Sequence, residues 1–278
     1  MTGTLNQPGP LLTFEVNARL CAAARAGTAR LECSLDLERT RSFVDLDGSG
    51  WYWRAQRYPF IDGCKERTIY HWDGARFEPI ARYTTALYKL VPTAYGPPTF
   101  EIDGIKMLPT ARVSPYADAE RKVSLIQPRG KRILDTCGGL GYFAAWCLQF
   151  EASLVLSYEK SPAVLWLRSL NPWSPTVGGS LQLVEGDIAQ EIVSLGEDSI
   201  DAVLHDPPRF GTAGELYSQA FYHHLARVLK RHGRLFHYTG APNRLTTGRD
   251  VAGEVAKRLR QAGFSVEFNG DGVLAVKT

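Results

Sequence analysis

From residue 132 onward the chain alternates two kinds of hydrophobic pattern. Short, nearly continuous apolar runs recur: RILD (132–135), LVLSYE (154–159), LQLVEGD (181–187), AVLHD (202–206) and GRLFHYT (233–239). Between them lie longer segments of helical character: YFAAWCLQF (142–150), a stretch through Leu170, and a stretch ending in ARVLK; another helix follows over 250–262. Apolar runs of four to seven residues bounded by turn letters read as strands buried on both faces, and strands alternating with helices predict a parallel, doubly wound sheet. The end of the chain, FSVEFNGDGVLAVKT, reads as two runs joined by NGDG. A loop that short cannot hold a crossover helix, so one strand there is antiparallel.

The first 110 residues have another texture. ARLECSLDL (29–37), RSFVDLD (41–47), WYWRAQRYPF (51–60), RTIYHW (67–72) and TFEIDGIKM (99–107) are rich in aromatic and β-branched residues, with DGSG and WDG as turn signals. They predict a β-rich domain over 1–110, followed by a linker helix in ARVSPYADAERKVSLIQPRG and a Rossmann-like α/β domain over 111–278. Trp51, Tyr52 and Trp53 suit either a base-stacking platform or the core and rim of a sheet.

Composition narrows the setting. The chain has 278 residues, 44% hydrophobic, with a net charge of +3 and no basic block, which neither requires nor excludes a nucleic-acid partner. Five cysteines without a CxxC pair fit neither a disulfide framework nor a zinc ribbon. No HxxxH or HxH pairing supports a histidine metal cluster, so no metal is expected. No apolar run approaches the roughly 18 residues of a membrane helix, and MTGTLNQPGP does not read as a signal peptide. The expectation is a cytoplasmic protein without a membrane partner; the oligomeric state is left open.

The chemistry concentrates at the ends of the predicted strands. DTCGGLG (135–141) joins the first strand to its helix, where glycines allow a ligand to approach the backbone and the helix offers unpaired N–H groups. Asp135 precedes Gly139 and Gly141 in a spacing that resembles D-x-G-x-G-x-G, with Cys137 at the first glycine, rather than G-x-G-x-x-G. Glu159 closes the second strand, where a carboxylate accepts ribose hydroxyls. Asp187, followed by Ile188, closes the third. His205-Asp206-Pro207-Pro208-Arg209-Phe210 ends the fourth, beside the first strand at the topological switch point. His205 is a candidate general base or a buried structural histidine. His237 and Tyr238 on the fifth strand are within reach of the same pocket.

These residues carry resemblances. Seven strands with the last reversed, a D-x-x-x-G-x-G turn and acids at three strand ends resemble the class I S-adenosylmethionine-dependent methyltransferases. The resemblance implies S-adenosyl-L-methionine bound by Asp135, Cys137, Gly139, Gly141, Glu159, Asp187 and Ile188, with Asp135 near the methionine amino group and Asp187 toward the adenine amino group. Asp206-Pro207-Pro208 is similar to the [DN]PP[YFW] of amino-methyltransferases, whose carboxylate or amide and proline carbonyl hold the target amine. Here Arg209 stands before the aromatic Phe210. The resemblance makes Asp206 and His205 the catalytic candidates and Pro207, Pro208, Arg209, Phe210, Tyr217 and His237 the substrate-binding ones. DPPR also occurs in uridine C5-methyltransferases, but no cysteine follows Cys147 to serve as their nucleophile.

PPTFEIDGIKM, LDTCGGLGY, NPWS, HDPPRFGTAGELYSQAFYHHLARVL and GRLFHYTG together resemble a largely archaeal group of predicted methyltransferases that lack an assigned substrate. Members read DTCTGLGY and DPPRFS; Gly138 and Gly211 stand here instead. The acceptor implied is a nucleobase nitrogen in RNA, or a small amine or protein side chain. An N-terminal β domain ahead of a Rossmann-like core is also similar to the spermidine-synthase type of aminopropyltransferase, which uses decarboxylated S-adenosylmethionine. A non-catalytic S-adenosyl-binding module is the third alternative.

Overall fold

The computed structural model describes residues 9–240 and 250–278. The chain divides into two compact units, one running up to Tyr116 together with Trp166–Trp173, the other comprising Ala117–Leu165 and Ser174 onward.

The first unit is built from short antiparallel strands. Arg30–Cys33, Ser42–Asp47, Gly50–Trp53 and Gln56–Tyr58 follow one another in a four-stranded meander. A three-stranded sheet joins Leu11–Leu12, Tyr70–Trp72 and Phe77–Pro79, and a second four-stranded sheet spans Ala81–Tyr83 to Ile105–Lys106. The β texture of the sequence is realised, with one addition: Phe14–Arg25 is a helix. Thr13 caps it by accepting from the Val16 N–H at 3.3 Å. Val16 and Leu20, four apart on one face, enter a core with Cys33, Val44, Trp51 and Tyr58. Trp51 is fully buried, stacks on Tyr58 at 4.6 Å and donates its indole N–H to the Pro59 carbonyl. It is a core residue, not part of an open stacking platform.

The second unit holds one seven-stranded sheet. Its strands are β1 (Arg132–Asp135), β2 (Leu154–Glu159), β3 (Leu181–Glu185), β4 (Ile200–His205), β5 (Leu229–Tyr238), β6 (Phe264–Asn269) and β7 (Gly272–Lys277). Their order is β3-β2-β1-β4-β5-β7-β6, parallel except for β7, which runs antiparallel to both neighbours. The helices from residue 115 on are α1 (Pro115–Ile126), α2 (Tyr142–Gln149), α3 (Pro162–Leu170), α4 (Ile188–Glu191), α5 (Gln219–Val228) and α6 (Val251–Gln261), of which α3 from Trp166 and the first two residues of α1 are counted with the first unit. Leu134, Leu156, Val203, Leu235 and Ala275 of the sheet pack with Phe221, Leu225, Val255 and Leu259 of the helices into one buried cluster. This is the doubly wound α/β architecture that the alternating pattern predicts. One boundary differs: α5 stops at Val228 and β5 begins at Leu229, because Leu229 pairs with Ile200 ahead of a register shift. The strand order changes direction between β1 and β4, and because β1 to β4 are parallel their carboxyl ends share one edge of the sheet, where the loops leaving them form the candidate site.

Candidate active site

The loop after β1 is shaped by its glycines. Gly139 and Gly141 take φ of 48° and 82°, the left-handed region where a side chain is strained. The loop is tied down by Gly138 N–H donating to the Tyr158 carbonyl and Gly141 N–H to the Gly138 carbonyl, both at 2.7 Å. Gly141 then starts α2 with no side-chain hydrogen bond capping the helix. Cys137 is half-buried, and burial above all raises its thiol well above the ordinary range, so it is a neutral wall of the loop.

Glu159, at the end of β2, accepts the Gly139 N–H at 3.0 Å on one oxygen and the Ser161 N–H at 2.9 Å on the other. Asp187 follows β3 and caps α4, accepting from Ala189 N–H at 3.0 Å, with the Lys160 ammonium 3.7 Å from its other oxygen. Ile188 is buried at the first position of that short helix. Asp135 closes β1 and is buried at the foot of the glycine loop. It is 1% exposed and accepts from the Ser157 hydroxyl on β2 at 2.8 Å. A bare glycine turn with acids at three adjacent strand ends fits the donor pattern of an S-adenosyl ligand: carboxylates for hydroxyls and amino groups, backbone for the rest.

Asp206 is the first residue beyond β4, with about a fifth of its side chain exposed (21%). Burial raises its carboxyl to about 6; the Lys122 ammonium opposes this, while Asp118 and Asp271 add to it. Pro207 is buried, whereas Pro208 and Arg209 are exposed at the head of the loop. Tyr217 donates its hydroxyl to the Pro208 carbonyl at 3.1 Å and meets the Phe210 ring edge-on at 5.4 Å. Tyr217 is buried (1% exposed) and braces the loop through this bond. A cleft of about 350 Å³ bounded by Phe210, Tyr217, Glu254 and Arg258 flanks this loop. A larger hollow of about 460 Å³ beside Gln127 and Arg129 lies before β1, away from the strand ends that carry the acids.

The histidines resolve into structural parts. His205 is 0% exposed; its Nδ1 lies 2.7 Å from the Thr136 hydroxyl and its Nε2 3.1 Å from the Leu216 carbonyl. A carbonyl only accepts, so Nε2 carries the proton and Nδ1 accepts from Thr136. Burial brings this imidazole down to about 4. Both nitrogens are used inside the protein, which removes His205 from the role of general base and makes it a brace between β4, the glycine loop and the turn at Leu216. His237, register partner of His205 on β5, is likewise fully buried. Its Nδ1 donates to the Tyr238 carbonyl at 2.8 Å and its Nε2 accepts from the Tyr222 hydroxyl at 3.0 Å. The expected substrate contact by His237 is therefore replaced by an internal one. Among the described residues no group of three or more histidines, cysteines or acids is arranged to hold a metal ion.

The residue that sequence reasoning missed is Lys122. It lies on α1, in what reads as a linker, and its ammonium stands 3.9 Å from Asp206. The available signal was the Asp118–Lys122 spacing of four on one helix face.

Residues 174–271 match the family model described as S-adenosyl-L-methionine-dependent methyltransferase, a segment that holds Asp187, the Asp206 loop and the turn of the C-terminal hairpin. Over 179 residues the chain is 45% identical to an uncharacterized protein of Methanocaldococcus jannaschii. That match covers 64% of this chain and spans 61% of the relative's length. Among solved structures, spermidine synthase from Thermotoga maritima superposes with a TM-score of 0.52 at 16% identity, covering 71% of each chain. MNMC2 from Aquifex aeolicus does so with a TM-score of 0.51 at 20% identity, covering 68% of this chain and 70% of that one. The fold is therefore the class I Rossmann-like fold, and residues 174–271 carry the pattern of the S-adenosyl-L-methionine-dependent methyltransferases.

Proposed function

We propose that this protein is an S-adenosyl-L-methionine-dependent methyltransferase acting on a nitrogen, in the first place a nucleobase nitrogen of RNA and otherwise another amine. The observation that carries the reading is the placement of Asp206-Pro207-Pro208 at the end of β4, adjacent to β1 and the glycine loop that β1 leads into.

When bound, the sulfonium supplies an electrophilic methyl group. Glu159 holds the ribose hydroxyls, Asp187 and the start of α4 hold the base, and Gly139 and Gly141 leave room for the chain between them. Asp135 supports that loop from below. In this reading Asp206 accepts a hydrogen bond from the acceptor N–H and the Pro207 carbonyl a second, so the lone pair is aimed rather than activated. The bound group would supply its methyl to the nitrogen lone pair and keep the C–S electrons on sulfur, and Asp206, whose carboxyl burial raises to about 6, would take the proton that nitrogen releases. Arg209 and Phe210 contribute the contacts to the rest of the acceptor.

Aminopropyl transfer is the second reading, favoured by the likeness in fold to spermidine synthase. Calorimetry with S-adenosylmethionine and its decarboxylated form separates the two, since preference for the form lacking the carboxylate overturns methyl transfer. The site itself is tested by two variants. Glu159→Ala weakens S-adenosylmethionine binding by roughly 10- to 100-fold, the loss of charge-assisted hydrogen bonds. Asp206→Ala leaves binding within a few-fold but removes most transfer of labelled methyl to RNA transcripts or polyamines. An Asp206→Ala protein with normal turnover ends the assignment.

A further inference from the structure

Lys122 is a charge in a costly place. Its side chain is 2% exposed, and a lysine is almost never buried so fully unless it is paired. Three carboxylates from three parts of the second unit surround the ammonium: Asp118 at 2.7 Å, one turn earlier on α1; Asp271 at 3.7 Å, in the turn between β6 and β7; and Asp206 at 3.9 Å. The Tyr238 ring of β5 faces it at 4.1 Å and the Phe143 ring of α2 at 6.0 Å. Arg121 serves the outer side of the cluster, at 3.1 Å from Asp118 and 2.6 Å from Asp271. Asp118 and Asp271 thus share two cations. Among the described residues, Lys122 is the one basic group within 4 Å of Asp206.

A lysine needed only to fasten α1 would be satisfied by Asp118 on its own helix. Its direction toward the end of β4 and the hairpin turn links three elements that meet behind the proposed acceptor site. We propose that Lys122 is a positioning residue for Asp206, holding that carboxylate anionic and aimed from behind while its exposed part is left to the acceptor. This rests on the reading of Asp206 as the acceptor-binding group.

The charges facing Asp206 are few. Lys122 and Asp118 come from α1 and Asp271 from the hairpin turn. Tyr217, Tyr238 and Cys137 approach from the turn after the loop, from β5 and from the glycine loop, and burial keeps all three neutral at ordinary pH. Burial raises Asp206 first, and on top of it the one ammonium and the two other carboxylates shift its ionisation with opposite signs.

The test is a titration of Asp206 in the full chain, followed by carbon-13 NMR of its carboxyl and assigned with Asp206→Asn, alongside the pH profile of methyl transfer. Lys122→Met moves the Asp206 midpoint upward by roughly one to three pH units. Asp271→Asn moves it downward. The acid limb of kcat follows each shift, while S-adenosylmethionine affinity stays within a few-fold. Midpoints that do not move, or that move in the same direction in both variants, overturn the coupling and leave the acceptor role of Asp206 standing. Midpoints that move while the rate profile stays in place overturn the acceptor role and the positioning role with it. Should Lys122→Met fail to fold, Lys122→Gln takes its place, and an Asp206 midpoint that does not rise in it overturns the positioning role.

Discussion

At the scale of single residues, the site is built at the expense of stability. Asp206 is ionised in a place where burial and two neighbouring carboxylates resist it, so its folded midpoint, about 6, stands above the 3.8 of the unfolded chain. A group raised in this way contributes its stability below pH 3.8 and loses it as pH rises through about 6. Above that pH the native state bears a cost of at most about 3 kcal/mol, two pH units of displacement. Asp206→Asn should therefore be inactive yet more stable than the parent at pH 8, and no more stable at pH 3.5, as measured by urea unfolding. A variant that is less stable at pH 8 would show that Asp206 is held by bonds rather than strained. The acid itself was legible in HDPPRF; the direction in which its neighbours pull it was not, because Lys122, Asp118 and Asp271 lie in other segments of the chain.

Among elements, the C-terminal hairpin does more than complete the sheet. NGDG announces its turn, and β6 and β7 form on either side of it. The structure adds that Gly272, opposite Tyr238 of β5, leaves no room for a side chain: a Cβ there would sit 2.5 Å from the His237 carbonyl oxygen and 2.7 Å from the Phe236 ring. Gly272→Ala should push β7 off β5 and lower stability by roughly 1–3 kcal/mol, read as a reduced urea midpoint. It should also displace Asp271, next to it, and so move the Asp206 midpoint down. The helix Phe14–Arg25 shows the opposite limit of sequence reading. Its alanine-rich centre carries a weak apolar stripe, only Val16 and Leu20 among its apolar residues are buried, and its start rests on the single cap of Thr13. The helix is held by packing against its own unit rather than announced by its pattern.

For the molecule as a whole, the paired histidines set the acid limit. His205 is depressed to about 4 and His237 lies well below 6.5, both through burial. A depressed midpoint contributes stability above the unfolded value of 6.5 and loses it as pH falls toward the folded one. His205 alone should cost about 2 kcal/mol by pH 5, and His237 adds a cost of the same sign, which exceeds what protonation of Asp206 returns over the same range. Urea unfolding at pH 7.5, 6 and 5 should show a steady fall in midpoint; a flat response would mean that the two imidazoles are charged or solvated in the native state.

The sequence by itself determined the order of strands and helices, the reversed strand at the end, the glycine turn and the acids at the strand ends. Hydrophobic period, turn chemistry and the positions where strands run out are local properties, set within about ten residues. Tertiary structure alone decided what the polar residues do. Folding buried His205 and His237 side by side, each bonded on both nitrogens, and so turned a candidate base and a candidate substrate contact into braces. It carried Lys122, from a helix that reads as a linker, to within 4 Å of Asp206. Burial and charge act through space, and the separation of residues along the chain says nothing about either until the sheet has closed the distance.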